Sequence, residues 1–130
     1  SYGVSVTFMP LMKDMKKLSA ELEQVLPDSH RTFLEDGLLS WEAGNYYFVH
    51  AGVRPGVPLP DQHFEDQLWI RDEFIDSKAD HGAVVVHGHT ITPEVEFKPN
   101  RIGLDTGAFH SGVLSCLVLE GTEQRLMQTG

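Results

Sequence analysis

The sequence predicts an α/β protein in which an N-terminal helical hairpin precedes a mixed, largely antiparallel sheet. Apolar residues recur at helical spacing in the first third of the chain, and short aromatic or β-branched runs between turn residues fill the rest. The 130 residues, 41% hydrophobic and 22% charged, suffice for one folded domain. No repeat or linker divides them, so we expect a single domain over residues 1–130.

The first predicted element is an amphipathic helix over residues 11–26, whose apolar residues are spaced three or four apart. Those residues are Leu11, Met15, Leu18, Leu22 and Val25. Pro27 ends the helix, because proline cannot continue the backbone hydrogen-bond pattern. A second, short helix is predicted from about Asp28, an N-cap candidate, to about Asp36. We expect the two helices to cover one face of a sheet.

The pattern changes to strands from Leu38 onward. Residues 38–49 are predicted to form a β-hairpin with its turn at 43–45, because aromatic and β-branched residues favour strands. A loop rich in proline and glycine follows over residues 52–60. Residues 61–77 are predicted to be mostly helical, with a break around Trp69.

The second half of the chain is predicted to contain four strands. Residues 83–86, AVVV, form a continuous apolar run that is typical of a strand buried on both faces. The other three predicted strands cover residues 101–105, 113–120 and 124–128. Turns at 111–112 and 121–122 predict that these three form an antiparallel meander.

Cys116 is the single cysteine of the chain and lies in the middle of a predicted strand. Strand alternation places it on one face with Leu114 and Val118, so we expect a buried thiol with no catalytic part. One cysteine excludes an intrachain disulfide and any all-cysteine metal site, which fits a reducing compartment. The sequence shows no signal-peptide pattern and no membrane-spanning apolar run, so the prediction is a cytoplasmic protein.

The charge of the chain bears on its partners. Ten Lys and Arg residues against 19 Asp and Glu residues give a net charge of −9. So acidic a protein repels a polyphosphate backbone, which argues against a general nucleic-acid binder, and no feature predicts a membrane partner. Any anionic substrate must therefore be held by local positive groups.

Two of the apolar strands end in histidine, with a glycine one or two residues later. His50 follows YYFV, and His87-Gly88-His89 follows AVVV. Open sheets bind ligands at the carboxyl ends of their strands, and neutral imidazole is the commonest protein ligand for metals. His87 and His89 would point to the same side if the strand stayed extended. Spacing alone leaves open whether these histidines bind metal or form hydrogen bonds in the core.

Three arginines are candidates for holding an anionic substrate. They are Arg54 in GVRPG, Arg71 in LWIRDEF and Arg101 in NRIG. The planar guanidinium suits bidentate contact with a phosphoryl group. The alternative is pairing with nearby acids. For Arg71 those acids are Asp66, Asp72 and Glu73.

Four segments, taken together, resemble the carboxyl-terminal half of the PPP-type metallophosphoesterases, in the branch of the bacterial serine/threonine protein phosphatases. The segments are FVHAGVRPGVPL, LWIRDEF, VVHGHT and NRIGLDTGA, in this order along the chain. The resemblance extends from the opening SYGV to about Gly121. It implies an α/β fold that is half of a sandwich with two central sheets flanked by helices.

The resemblance also implies roles for individual residues. His50 and His89 would bind one of two divalent metal ions, with manganese, iron and zinc as candidates. Arg71 would contact the substrate phosphate, and a hydroxide activated by the two metals would attack phosphorus in line. Three further residues are expected to support this site without binding metal: His87, Asp105 and Arg54.

The sequence also departs from the family, because the motifs GDxHG, GDxxDRG and GNHE do not occur in it. Two histidines cannot build a two-metal centre. We therefore expect the 130 residues alone to be inactive, and to associate with a missing half or with a second copy. The activity expected of the intact enzyme is hydrolysis of a phosphoprotein or a small phosphoester. The alternatives are a diadenosine tetraphosphate hydrolase of the same superfamily and a non-catalytic binding module.

Overall fold

The computed structural model describes residues 12–130, and the chain divides into two compact units at Gly37. The first unit contains helix α1, Met12–Val25, and helix α2, Asp28–Glu35, in agreement with the two predicted helices. Leu11, the predicted start of the first helix, and the SYGV segment lie outside the described residues. No helix among the described residues has the length and apolar character needed to cross a bilayer.

The second unit, Leu38–Gly130, is built on a mixed five-stranded sheet in the order β1-β2-β3-β5-β4. Its strands are β1 Ser40–Ala43, β2 Tyr46–Val49, β3 Val84–His87, β4 Glu96–Phe97 and β5 Arg101–Gly103. Strand β3 pairs in parallel with both β2 and β5, while β1 and β4 are antiparallel edge strands. The sheet is mixed as predicted, with its parallel pairs in the centre. Strand β4, which is only two residues long, was not predicted from the sequence.

The connection between β2 and β3 contains two short helices, α3 Phe64–Trp69 and α4 Asp72–Ile75, after a 3-10 turn at Leu59–Asp61. Ile70 has an extended backbone conformation, which produces the break predicted around Trp69. Two parallel strands need such a crossover, because the chain must return to the starting end of the sheet before the second strand begins, and a tight turn is too short for this. The break leaves Arg71 between the two helices.

The core lies where this crossover packs on the sheet. Its buried side chains are Tyr47, Val49, Ala51, Val53, Ile70, Phe74 and Val85. Phe74 of α4 is fully buried and has the largest side chain in this group without exposed surface. Burying a phenylalanine contributes about 2 to 3 kcal/mol, and this ring, which also meets His87 of β3 edge to face, helps to hold the crossover on the sheet.

The carboxyl-terminal residues form a separate two-stranded sheet of β6, Ser115–Glu120, and β7, Glu123–Gln128, after a short helix α5, Ala108–Ser111. The antiparallel hairpin was predicted, but the three-stranded meander was wrong, because β5 pairs with β3 and β4 instead. The intervening helix α5, which the sequence analysis missed, separates β5 from β6 along the chain.

The predicted burial of Cys116 was also wrong, since this residue is exposed. It pairs with Met127 of β7, which is exposed as well. Strand alternation identifies side chains that share a face, but it does not show whether a second layer covers that face. In the described part of the chain, this two-stranded sheet leaves Cys116 uncovered.

Gly52 is fixed by the close approach of the core to the loop after β2. A Cβ atom added here would overlap the Phe74 ring, lying 2.7 Å from both Cγ and Cε1. Gly56 in the same loop also has a positive φ, of 80°, but nothing lies within 4 Å of its Cβ position. Substitution of either glycine therefore strains the backbone, but only substitution of Gly52 also causes a steric overlap.

We predict that Gly52→Ala lowers the free energy of unfolding by about 3 kcal/mol, because Phe74 must leave its position. The matched variant Gly56→Ala should cost only about 1 kcal/mol, the price of a left-handed backbone for alanine. Urea unfolding followed by circular dichroism measures both. Equal losses in the two variants would contradict the steric explanation.

Candidate active site

His50 and His89 meet at one edge of the sheet although they are 39 residues apart. The Nε2 atom of His50 lies 3.1 Å from the Nδ1 atom of His89. The parallel pairing of β2 with β3 brings the two loops together, since Phe48 lies opposite Val86 and both strands end at this edge. The Gly88 amide then donates a 2.9 Å hydrogen bond to the His50 carbonyl oxygen. The backbone thus ties the two histidine loops directly.

The backbone of His89 is left-handed, with φ 63°, and it is the one non-glycine residue with positive φ in the described range. This conformation is unfavourable for a residue with a Cβ atom, and such strain concentrates at functional sites. The chain therefore does not stay extended after β3. The condition under which His87 and His89 were expected to point to the same side, an extended chain through Gly88, is thus not met.

The surroundings of His89 favour its neutral form. Burial lowers the pKa of His89, and the nearby Arg71 and His50 lower it further, while Asp105 acts in the opposite direction. Its Nε2 atom is buried and has no hydrogen-bond partner among the described residues. Unsatisfied buried atoms are uncommon in folded proteins, and neutral imidazole is the form that binds metals.

The pair of ring nitrogens fits two adjacent positions around one metal ion. Nitrogens bound to one ion at about 2.1 Å lie about 3.0 to 3.4 Å apart for octahedral or tetrahedral angles, and the observed separation is 3.1 Å. The described residues contain no group of three or more His, Cys, Asp or Glu side chains arranged to hold a metal. The two histidines therefore have the spacing of two ligands of one ion.

Arg71 lies beside this pair. Its Nη1 atom donates a 3.3 Å hydrogen bond to the His89 carbonyl oxygen. Within the described range no carboxylate forms an ion pair with Arg71, because two of the acids expected to do so, Asp66 and Glu73, pair with Arg54 instead. The Arg71 guanidinium is thus available to a phosphoryl group next to the histidines.

Arg54 forms the ion pairs that an arginine among carboxylates commonly forms. Its Nε and Nη2 atoms donate to both oxygens of Asp66, and Nη1 donates to Glu73 at 2.6 Å. Its own backbone amide donates to the Gln62 side chain at 2.7 Å. Arg54 therefore joins the loop after His50 to both helices that flank Arg71, and it does not serve as a free anion-binding group.

The other two basic candidates are buried in the sheet. His87 packs edge to face on the Phe74 ring at a centroid distance of 4.9 Å, and burial lowers its pKa. Arg101 forms a 2.9 Å ion pair with Glu96, and its Nη1 atom lies 3.4 Å from Nε2 of His87. Arg101 is therefore not available to a substrate, and the supporting role expected of His87 stays a prediction.

Asp105 approaches from the strand β5 side. Its Oδ2 atom lies 4.0 Å from the place that a Cβ atom on Gly88 would occupy, and its Oδ1 atom accepts a 2.9 Å hydrogen bond from the Gly107 amide. This position beside the Gly88 turn is compatible with the predicted supporting role. That role, like those of His50, His89 and Arg71, stays a prediction.

Trp69, which is not among the predicted site residues, contacts this site. Its indole meets the His89 imidazole edge to face, with centroids 5.8 Å apart and an interplanar angle of 80°. The available signal was position, because this large aromatic residue directly precedes the helix break and stands two residues before Arg71.

Comparison with known proteins finds no matching family model and no matching curated protein. Among solved structures, the crystal structure of a "putative diadenosine tetraphosphatase" is similar, with a TM-score of 0.66 and 26% sequence identity. The match covers 89% of this chain and 62% of that chain, so the sequence spans less than two thirds of its structural relative. The mixed α/β fold thus resembles part of a metallophosphoesterase, as the motifs predicted.

The ion pair between Arg54 and Asp66 predicts a pH dependence of stability. Hydrogen bonding to Arg54 holds the pKa of Asp66 below its ordinary value of 3.8. A lowered carboxyl pKa contributes stability above pH 3.8 that is lost as the pH falls through the folded-state pKa. We therefore expect Asp66→Asn to destabilise the protein at pH 7 and to have a much smaller effect in strong acid.

Thermal unfolding of wild type and Asp66→Asn, from pH 7 down to strong acid, measures this difference in stability. Asp61→Asn is the matched control, because it changes an aspartate outside the Arg54 ion pairs. A constant difference between wild type and Asp66→Asn at all pH values would show that the pair is not the cause.

Proposed function

We propose that this chain carries part of the active site of a metal-dependent phosphoester hydrolase. The observation that carries the proposal is the convergence of three groups: the facing nitrogens of His50 and His89, and the Arg71 guanidinium on the His89 backbone, which has no carboxylate partner among residues 12–130. Two imidazoles suit a divalent metal, and an adjacent arginine suits a phosphoryl group. The similarity to the solved tetraphosphatase structure supports a hydrolase of this superfamily.

Each residue has a distinct task in this proposal. His50, through Nε2, and His89, through Nδ1, would hold one divalent ion, with manganese as the first metal to test and iron or zinc as alternatives. Such ions acidify a water molecule and polarise the phosphoryl oxygens. Arg71 orients the phosphoryl group and neutralises charge on its outer oxygens, and this contact raises turnover to the extent that it strengthens in the transition state.

Two substrate classes are candidates for this site. The motif resemblance favours a serine or threonine phosphoprotein, whereas the similarity to a "putative diadenosine tetraphosphatase" favours a dinucleoside polyphosphate. Rates for a phosphoserine peptide and for diadenosine tetraphosphate, measured with the intact enzyme and manganese, distinguish the two. Absence of turnover on both substrates and on p-nitrophenyl phosphate, with each of the three metals, would favour the non-catalytic binding module.

We predict that His50→Ala and His89→Ala each reduce the metal content of the intact enzyme and lower turnover by on the order of 100-fold. Elemental analysis after dialysis measures the metal directly, without reference to activity. His63→Ala is the control, because it removes an exposed imidazole that contacts Phe64 and Glu65 instead. Unchanged metal content in both site variants would overturn the ligand assignment.

Arg71→Lys keeps the positive charge but loses the planar fork. We expect a loss of about 2 kcal/mol in transition-state stabilisation, or tens-fold in kcat/KM, since one charge-assisted hydrogen bond is lost. Steady-state kinetics on p-nitrophenyl phosphate measures it, with Arg125→Lys in β7 as the matched control. Wild-type kinetics for the Arg71 variant would reject a bidentate contact.

A further inference from the structure

We propose that Trp69 is a stacking platform for a nucleobase, so that the site accepts nucleoside phosphates in preference to phosphate esters without a base. The inference rests on the proposed phosphoester hydrolase function and deepens it, because it selects between the candidate substrate classes.

The exposure of Trp69 is the first observation. Its side chain is 68% exposed, although the adjacent Ile70 and nearby Phe74 are buried in the core. The backbone around it is fixed, because the Ile70 amide donates to the Asp66 carbonyl oxygen at 3.1 Å and the Ile75 amide donates to the Arg71 carbonyl oxygen at 3.0 Å. Trp69 thus presents a flat apolar surface from a well-anchored position.

The second observation is the place of this indole. Trp69 contacts the His89 ring, and Arg71 contacts the His89 backbone and forms no ion pair with a carboxylate of residues 12–130. An aromatic surface and a cation therefore both adjoin one candidate metal ligand. A nucleoside phosphate carries the complementary pair of groups, a flat base and a phosphoryl group joined by one ribose. Aromatic side chains stack on bases of any sequence, because every base has a π face.

The local charges are also compatible with an anionic nucleotide. Asp66 lies one helical turn before Trp69, and Glu73 lies two residues after Arg71. Both carboxylates are paired with Arg54, which reduces the repulsion that an acidic protein would otherwise exert at this point. An exposed indole face provides the flat area on which a nucleobase stacks, and the phosphoserine peptide serves as the comparison ligand in the test below.

Competition against p-nitrophenyl phosphate tests the proposal in the intact enzyme with manganese. AMP and ribose 5-phosphate are matched inhibitors, because both are monoesters of the same ribose carbon and differ only in the base. We expect AMP to inhibit about tenfold more strongly, and Trp69→Ala to remove this difference while ribose 5-phosphate inhibits as before. Trp69→Phe should keep part of the difference. Trp41→Phe, which changes a tryptophan that is 60% exposed in β1, should keep all of it.

Fluorescence gives a readout that does not depend on turnover. In the Trp41→Phe background Trp69 is the remaining tryptophan of this chain, and AMP should quench it where ribose 5-phosphate does not. Equal inhibition by the two compounds in wild type, with both weakened by Arg71→Ala, would overturn the stacking role and leave the phosphate site standing. Loss of phosphoserine-peptide binding but not of AMP binding in Trp69→Ala would likewise overturn it. Failure of either compound to bind, together with no p-nitrophenyl phosphate turnover, would contradict the proposed function itself.

Discussion

The parallel pairing of β2 with β3 is the constraint on which the other features depend. It aligns the ends of two strands that are far apart in sequence, and the bond from the Gly88 amide to the His50 carbonyl oxygen extends this alignment into the loops. Parallel pairing also requires a crossover, which supplies α3, α4 and the turn that carries Arg71. Packing of the crossover through Phe74 then leaves no space for a side chain at Gly52. The candidate site and the hydrophobic core therefore both depend on the pairing of β2 with β3.

The charges around Arg71 are also arranged locally. The chain carries a net charge of −9, and carboxylates flank the segment that presents Arg71. Arg54 compensates two of them, Asp66 and Glu73, through three side-chain hydrogen bonds. Arg54 thus stabilises the fold, while Arg71 is available to bind an anion. Arg54, Asp66 and Glu73 form one local cluster, and Arg71 lies outside it. The different roles of the two arginines therefore follow from their positions and not from the net charge of the chain.

The sequence predicted those parts of the molecule that local patterns determine. Both N-terminal helices, the β1-β2 hairpin, the buried strand β3 and the break near Trp69 follow from spacing and residue type. Strand partners do not, because pairing depends on residues far away in the chain. This explains why the predicted meander was wrong and why β4 was missed.

The candidate site shows the same division between local and distant information. Family motifs selected His50 and His89, and the structure brings these two residues together. Sequence could not decide which arginine pairs with the neighbouring acids, since Arg54 is 12 residues from Asp66 along the chain. It also could not show that Cys116 would be uncovered, which depends on the arrangement of layers.

The left-handed backbone of His89 has a consequence for how a ligand would be bound. The turn is held by strand pairing on one side and by the Arg71 contact on the other, so its conformational cost is already included in the free energy of folding. A ligand that engages Nδ1 would not have to order this loop, and little of its binding energy would be lost to conformational entropy. Rigidity built into the fold in this way leaves the affinity of the site dependent on direct contacts with the ligand rather than on ordering of the loop.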